Sequence, residues 1–195
     1  NPENLVISFA GKIDIKYAEE LVAEHFEKHL KKRAFGNRKK ILEQKGDSLF
    51  KNKDIEQVHI AFAWPSLARE DKLMDAALVV NTILGGGMSS RLFQKVREQM
   101  GLAYAVYSYI SSFTEGGILT VYAGVNPSSV GKAQDAIMYT IGEFCKNKFT
   151  KDEFLRGKEQ LKSSVILSQE NTASQMIAYG KYLLFNDKIL DLDQR

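Results

Sequence analysis

The chain has 195 residues, 44% of them apolar and 26% charged, with a net charge of +3 and a single cysteine. This is ordinary globular composition, enough for one substantial core, and one cysteine excludes an intramolecular disulfide and suits a reducing compartment. No apolar run approaches the roughly 20 residues of a membrane-spanning helix, so no membrane partner is expected.

In chain order, Leu5–Ala10 reads as a strand. Asp14 then caps a helix expected from Ile15 to about Leu30, striped by Tyr17, Ala18, Leu21, Val22 and Phe26. His25 and His29 are four apart on that helix and share a face, the spacing of a zinc pair. The intervening residues are wrong for one. The HExxH pattern needs Glu where Phe26 stands, and HxxEH needs it where Lys28 stands, so no metal ligand is assigned and the segment reads as a solvated amphipathic helix. Between Lys28 and Lys45 lie eight basic residues and one acid, Glu43, a net +7 in a chain of +3. Such a run can bind phosphate backbones. Here only Phe35 interleaves it and no nucleic-acid-binding signature accompanies it, so the reading is a solvated linker over residues 31–56 and no nucleic-acid partner.

His59, alone in Val58–Trp64, reads as a strand residue. Asp71–Leu84 has apolar residues at Leu73, Ala76, Ala77, Val80, Ile83 and Leu84, one buried face of a helix. Gly85-Gly86-Gly87 ends it. Glycine can take the left-handed conformation that closes a helix, and a triplet lets another backbone come close. Ser89 or Ser90 is expected to cap a second helix striped by Leu92, Phe93, Val96 and Met100, and Gly101 stops it. Ala103–Ser112 and Ile118–Val125 are β-branched and aromatic segments joined by Thr114-Glu115-Gly116-Gly117, a hairpin. Asn126–Ser129 starts a helix to about Asn147, with Val130, Ala133, Ile137, Ile141 and Phe144 on one face. Cys145 in that helix reads as a buried or half-buried small apolar residue rather than a nucleophile. Thr150 and Glu153 form a capping box for a helix striped by Phe154, Leu155, Leu161 and Val165. A last helix spans about 172–185 with Ala173, Met176, Ile177, Gly180, Leu183 and Leu184. Hairpin strands followed by helix clusters, without βαβ alternation, predict an α+β fold: an antiparallel sheet covered on one face by helices.

Arg97 thus falls in the last turn of a short helix and Tyr104 opens the strand after it. On spacing alone two readings stand open: a helix-end cation with a half-buried aromatic, or two donors brought to one concave corner. The words Leu84-Gly85-Gly86-Gly87-Met88-Ser89-Ser90-Arg91-Leu92-Phe93, Val96-Arg97-Glu98, Gly101-Leu102-Ala103-Tyr104 and Tyr107-Ser108 resemble the C-terminal half of the pitrilysin/insulinase family of zinc metallopeptidases, which includes processing peptidases. The resemblance implies one half of a clamshell. In it Tyr104 donates to the oxyanion of the tetrahedral intermediate and Arg97 holds a substrate backbone carbonyl. Gly85, Gly86, Gly87 and Ser89, beside that corner, are the candidate substrate-binding residues.

The resemblance further implies that zinc belongs to a separate N-terminal half, with no cofactor held by this chain. The domain reading is a terminal strand and helix of the preceding domain over 1–30, the linker, and the peptidase domain over 57–195, stopping before its last elements. The expected partners are the zinc-bearing half and an unfolded peptide. Leu5–Ala10 is expected to pair at a vacated sheet edge, within the chain or in a homodimer. A bacterial, cytoplasmic setting is expected. The alternative function is a non-catalytic scaffold subunit of the same family, which has no chemical need for both Arg97 and Tyr104.

Overall fold

A computed structural model describes residues 4–31, 49 and 56–186, and most of the expected linker lies outside them. The chain forms two compact units, one of Lys40–Lys162 and one of Asn1–Lys39 with Ser163–Arg195.

The first unit carries the sheet. Strands β1 (Val58–Ser66), β2 (Ala103–Ser112) and β3 (Gly117–Val125) lie in the order β1-β3-β2, antiparallel throughout. The β2–β3 hairpin closes as expected, with Phe113 N–H donating to Gly116 carbonyl at 2.7 Å. Along β1 the alternation is regular: Val58, Ile60, Phe62 and Trp64 turn to the core, and His59, Ala61, Ala63 and Pro65 turn outward. Pro65 has no N–H to give a ladder, and an outer strand tolerates that.

Helices α2 (Met74–Gly85), α3 (Phe93–Gln99) and α4 (Val130–Asn147) cover one face of the sheet. Ile83, Leu84, Val96, Ala133, Ile137 and Phe144 from these helices meet Val106, Val121, Ala123 and Val125 from the strands, with Leu92 just before α3. Each fully buried Leu, Ile or Val stabilises the fold by roughly 1.5–3 kcal/mol. On the other face His59, Ala61, Ala63, Tyr107 and Tyr109 are exposed, and the antiparallel sheet with its helix layer is the predicted α+β arrangement.

Asn126 Oδ1 accepts from Ser128 N–H at 3.0 Å and caps a 3-10 turn, Pro127–Ser129, that leads into α4. Its buried face is Ala133, Ala136, Ile137, Thr140 and Phe144. Cys145 is exposed, contrary to expectation. Phe144 takes the inward position, and one residue further along a helix points about 100° away. Helix α5 (Lys151–Ser168) opens with the predicted capping box: Glu153 N–H donates to Thr150 Oγ1 at 3.2 Å, and Thr150 N–H to Glu153 Oε2 at 2.7 Å. The predicted stripe of α5 is only partly its packing face. Leu161 is half-buried while Phe154, Leu155 and Val165 stay exposed, and the buried residue is Gly157, where a Cβ would lie 3.0 Å from Ile83 Cγ1. Backbone contact replaces side-chain interdigitation there, which apolar periodicity cannot reveal.

In the second unit Asp14 Oδ1 accepts from Tyr17 N–H at 3.1 Å and starts α1, Ile15–Val22. The helix then widens into a π-type turn over Ala23–Glu27 and ends short of Leu30. His25 lies in that turn and His29 beyond it, so the two do not share an α-helical face. Helix α6 (Thr172–Asn186) runs close to its predicted span, but Ile177, Leu183 and Leu184 remain exposed. Residues 5–10 have no ladder partner among the described residues, so the expected edge pairing within the chain is not made. The segment lies against α6 instead, where a Cβ on Gly180 would sit 3.3 Å from Ser8 Cβ. A helix satisfies its backbone internally and offers no ladder to a strand. No helix among the described residues is long and apolar enough to cross a membrane.

Candidate functional site

Three glycines and two serines turn the chain from α2 into α3, and they work differently from the expectation. None of Gly85, Gly86 and Gly87 has positive φ; among the described residues the glycines with positive φ are Gly11 and Gly101. Gly85 is needed for approach. A Cβ there would lie 2.5 Å from both the backbone N and Oγ of Ser108, so α2 meets β2 backbone to backbone. Gly86 carbonyl accepts from Gln160 Nε2 at 3.3 Å, and a Cβ on Gly87 would lie 2.7 Å from the same nitrogen. Ser89 is exposed. Ser90 is buried, and its Oγ donates to Gly87 carbonyl at 2.6 Å rather than capping the helix. Of the four candidate substrate-binding residues, Gly86 and Ser89 therefore present open surface, Gly87 is half-buried, and Gly85 is enclosed by Ser108.

Helix α3 is π-helical, a wide form often found at functional sites. Leu92 and Val96, both fully buried, anchor it. At its end Gly101, with φ 59°, reverses the chain; its N–H donates to Arg97 carbonyl at 3.0 Å, and Leu102 N–H to Val96 carbonyl at 3.0 Å. Arg97 is exposed, its guanidinium carbon 4.8 Å from the centroid of the Phe93 ring one turn earlier. Stacking engages the flat face of the guanidinium, while its N–H donors lie in the plane. Those donors make no hydrogen bond among the described residues.

Tyr104 follows one residue into β2. Ala103 pairs with Val125 and Ala105 with Gly124, so Tyr104 is the extra residue of a β-bulge. A bulge re-aims a side chain. Tyr104 is 61% exposed between the buried Ala103 and the half-buried Ala105, and its hydroxyl has no hydrogen-bond partner among the described residues. The buried neighbours Val96, Ala103 and Val106 fix the backbone on which the two exposed donors stand.

Beyond Tyr104 the open sheet face carries an aromatic array that periodicity alone did not single out. Tyr107 and Tyr109 stand 6.1 Å apart, and Tyr107 lies 4.8 Å from Tyr122, ring centre to centre. His59 Nδ1 and Tyr122 hydroxyl are hydrogen-bonded at 2.6 Å, so His59 is the strand residue expected. The available signal was tyrosine at alternate positions of β2, which puts both on one face.

Arg91, two residues before α3, is an ion-pair centre. Its Nε donates to Glu153 Oε1 at 2.7 Å and Nη2 to Oε2 at 2.9 Å, while Nη2 also donates to Lys148 carbonyl at 2.7 Å. The Arg91 hydrogen bond, ahead of those from Thr150, holds the Glu153 carboxyl well below its ordinary 4.5, at about 2. A carboxylate with a depressed folded-state pKa gives stability that is fully present above the ordinary value and lost as pH falls through the folded one. Thermal melts should show Tm falling from pH 5 to pH 2, and Glu153→Gln should flatten that slope and cost about 1–2 kcal/mol at pH 7. An unchanged slope would contradict the role of this pair.

Lys148 caps α4 at φ 57°, ψ −154°, a region that is essentially glycine's. Lys148→Gly should raise stability by about 1 kcal/mol by relieving that strain, read as a higher urea midpoint. A lower midpoint would place the strain elsewhere.

Residues 1–161 match the family described as "Peptidase M16 inactive domain". The chain is 36% identical over 193 residues to the uncharacterized zinc protease YmxG of Bacillus subtilis, covering 99% of this chain and 47% of that protein. It is 38% identical over 191 residues to an uncharacterized zinc protease of Streptomyces coelicolor, covering 93% and 41%. Among solved structures it is similar to a peptidase M16 inactive domain from Pseudomonas fluorescens, at 26% identity and TM-score 0.62 over 71% of this chain and 32% of that one. It also shares its fold with a protease from Helicobacter pylori, at 21% identity and TM-score 0.69 over 91% and 45%. The chain thus spans about half the length of the curated relatives it matches. With the expected antiparallel sheet and its helix layer present and the family match covering residues 1–161, this chain belongs to the M16 family of zinc proteases and is its C-terminal, inactive domain.

Proposed function

We propose that this domain serves proteolysis by lending two hydrogen-bond donors to a reaction whose metal sits on a separate N-terminal half. The observation that supports the reading is that both side chains are exposed while the backbone beside each is anchored in the core. Among the described residues the Arg97 and Tyr104 side chains donate to no partner, while Val96, Ala103 and Val106, which flank them along the chain, are buried. Tyr104 O–H donates to the oxygen that gains charge in the tetrahedral intermediate, and Arg97 N–H groups hold a backbone carbonyl of the peptide. A donor aimed at developing charge stabilises the transition state more than the ground state. The tyrosine face beside them offers flat amphipathic surface for an extended, unfolded peptide, and Gly86 and Ser89 supply open backbone near the same corner.

The family is named for zinc, and the residues described here do not fit it. No group of three His, Cys, Asp or Glu is placed to share a metal among them, and His25 and His29 lie in different turns. The chain alone is expected to hydrolyse no peptide with zinc added, and mixing it with the metal-bearing half should restore turnover. Hydrolysis by the chain alone, surviving repurification and requiring its own residues, would overturn the division of labour.

A further inference from the structure

Arg91 stands in the turn that becomes α3, six residues before Arg97. Its guanidinium is gripped from four directions: the two oxygens of Glu153, the Lys148 carbonyl, and the ring of Phe144, 5.0 Å below it. Each grip is itself held. Glu153 is fixed in the capping box of α5, Phe144 is buried in the last turn of α4, and Lys148 adopts its glycine-like conformation where its carbonyl meets Arg91. The start of α3, by contrast, has no side-chain cap.

Surface ion pairs ordinarily add little stability, yet here the chain retains a backbone conformation that costs about 1–3 kcal/mol beside one. Such strain fits a requirement for geometry better than one for stability. Helix α3 has that requirement. Its buried anchors, Leu92 and Val96, lie four apart on a single stripe, and one stripe leaves rotation about the helix axis weakly fixed. Arg91, about 100° around from Leu92, supplies a second line of attachment.

We propose that Arg91 is a positioning residue for Arg97: the Glu153, Lys148 and Phe144 grip sets the roll of α3 and thereby the place of the Arg97 guanidinium. This rests on the reading of Arg97 as a donor to substrate. The test is a double-mutant cycle on peptide turnover by the intact protease. Arg91→Lys keeps the charge and loses the two-pronged geometry; it should lower kcat/KM about tenfold with Arg97 present and have almost no further effect in an Arg97→Ala background. Adding Lys148→Gly to Arg91→Lys should restore Tm without restoring turnover. Equal losses in both Arg97 backgrounds, or turnover that returns with Tm, would overturn the proposal and leave Arg91 a structural clamp. If Arg97→Ala alone leaves kcat/KM unchanged, the donor reading of Arg97 fails first and the proposal falls with it.

Discussion

Tyr104→Phe in the intact protease should lower kcat by about 10²- to 10³-fold with little change in KM, the loss that follows removal of one oxyanion donor. The substitution deletes one hydroxyl and keeps the ring. Because Tyr104 is exposed and its hydroxyl is bonded to nothing among the described residues, the folded state has no hydrogen bond there to lose. Tm should therefore stay within about a degree of wild type. A Tyr107→Ala control tests the neighbouring face. It removes a ring that stacks 4.8 Å from Tyr122, and it should act on KM for peptides more than on kcat. Steady-state kinetics on one quenched peptide separates the two, and a Tyr104→Phe enzyme with wild-type kcat would reduce Tyr104 to packing.

Gly85→Ala should be strongly destabilising. The added methyl would sit 2.5 Å from Ser108 N and Oγ and 2.9 Å from its Cβ, inside any allowed contact. Relief requires α2 to move off β2, and the layer between them holds Ile83, Leu84 and Val106. Overpacking of this kind typically costs about 1–3 kcal/mol; with backbone as the obstacle we expect the upper end, a fall in Tm of roughly 6–12 °C for a chain of this size. Gly131→Ala is the contrast. It lies on α4 with nothing within 4 Å of a built Cβ, and replacing glycine in a helix should stabilise by about 0.5–1 kcal/mol. If the two substitutions have equal effects, close approach is not what Gly85 provides.

These two glycines show what kind of information the sequence carries. Element types and most boundaries were legible, because capping residues and apolar spacing act within a few residues: Asp14 on Tyr17, Thr150 with Glu153, the Gly116 hairpin. Contacts between elements were not. The failure on α5 arose because Gly157, rather than the visible stripe of Phe154, Leu155 and Val165, makes the contact with Ile83. The strand expected at residues 5–10 failed for a similar reason: extended propensity is local, while a ladder needs an open edge nearby. Family words singled out Arg97 and Tyr104 as candidates, but nothing in Ala103-Tyr104-Ala105 announces a bulge. That bulge decides which way the phenol points. Arg91 belonged to the same words, and its partners Glu153 and Lys148 are about 60 residues away, beyond any local pattern.

The most direct measurement is a comparison of two ligands on wild-type and Tyr104→Phe protease by calorimetry, one a phosphinic peptide whose tetrahedral phosphorus oxygens imitate the charged intermediate, the other the matching uncleavable amide analogue. If Tyr104 serves the oxyanion, the substitution weakens the phosphinic peptide by about the factor lost from kcat/KM and leaves the amide analogue unchanged. Equal weakening of both ligands, or of neither, would contradict a donor reserved for the transition state.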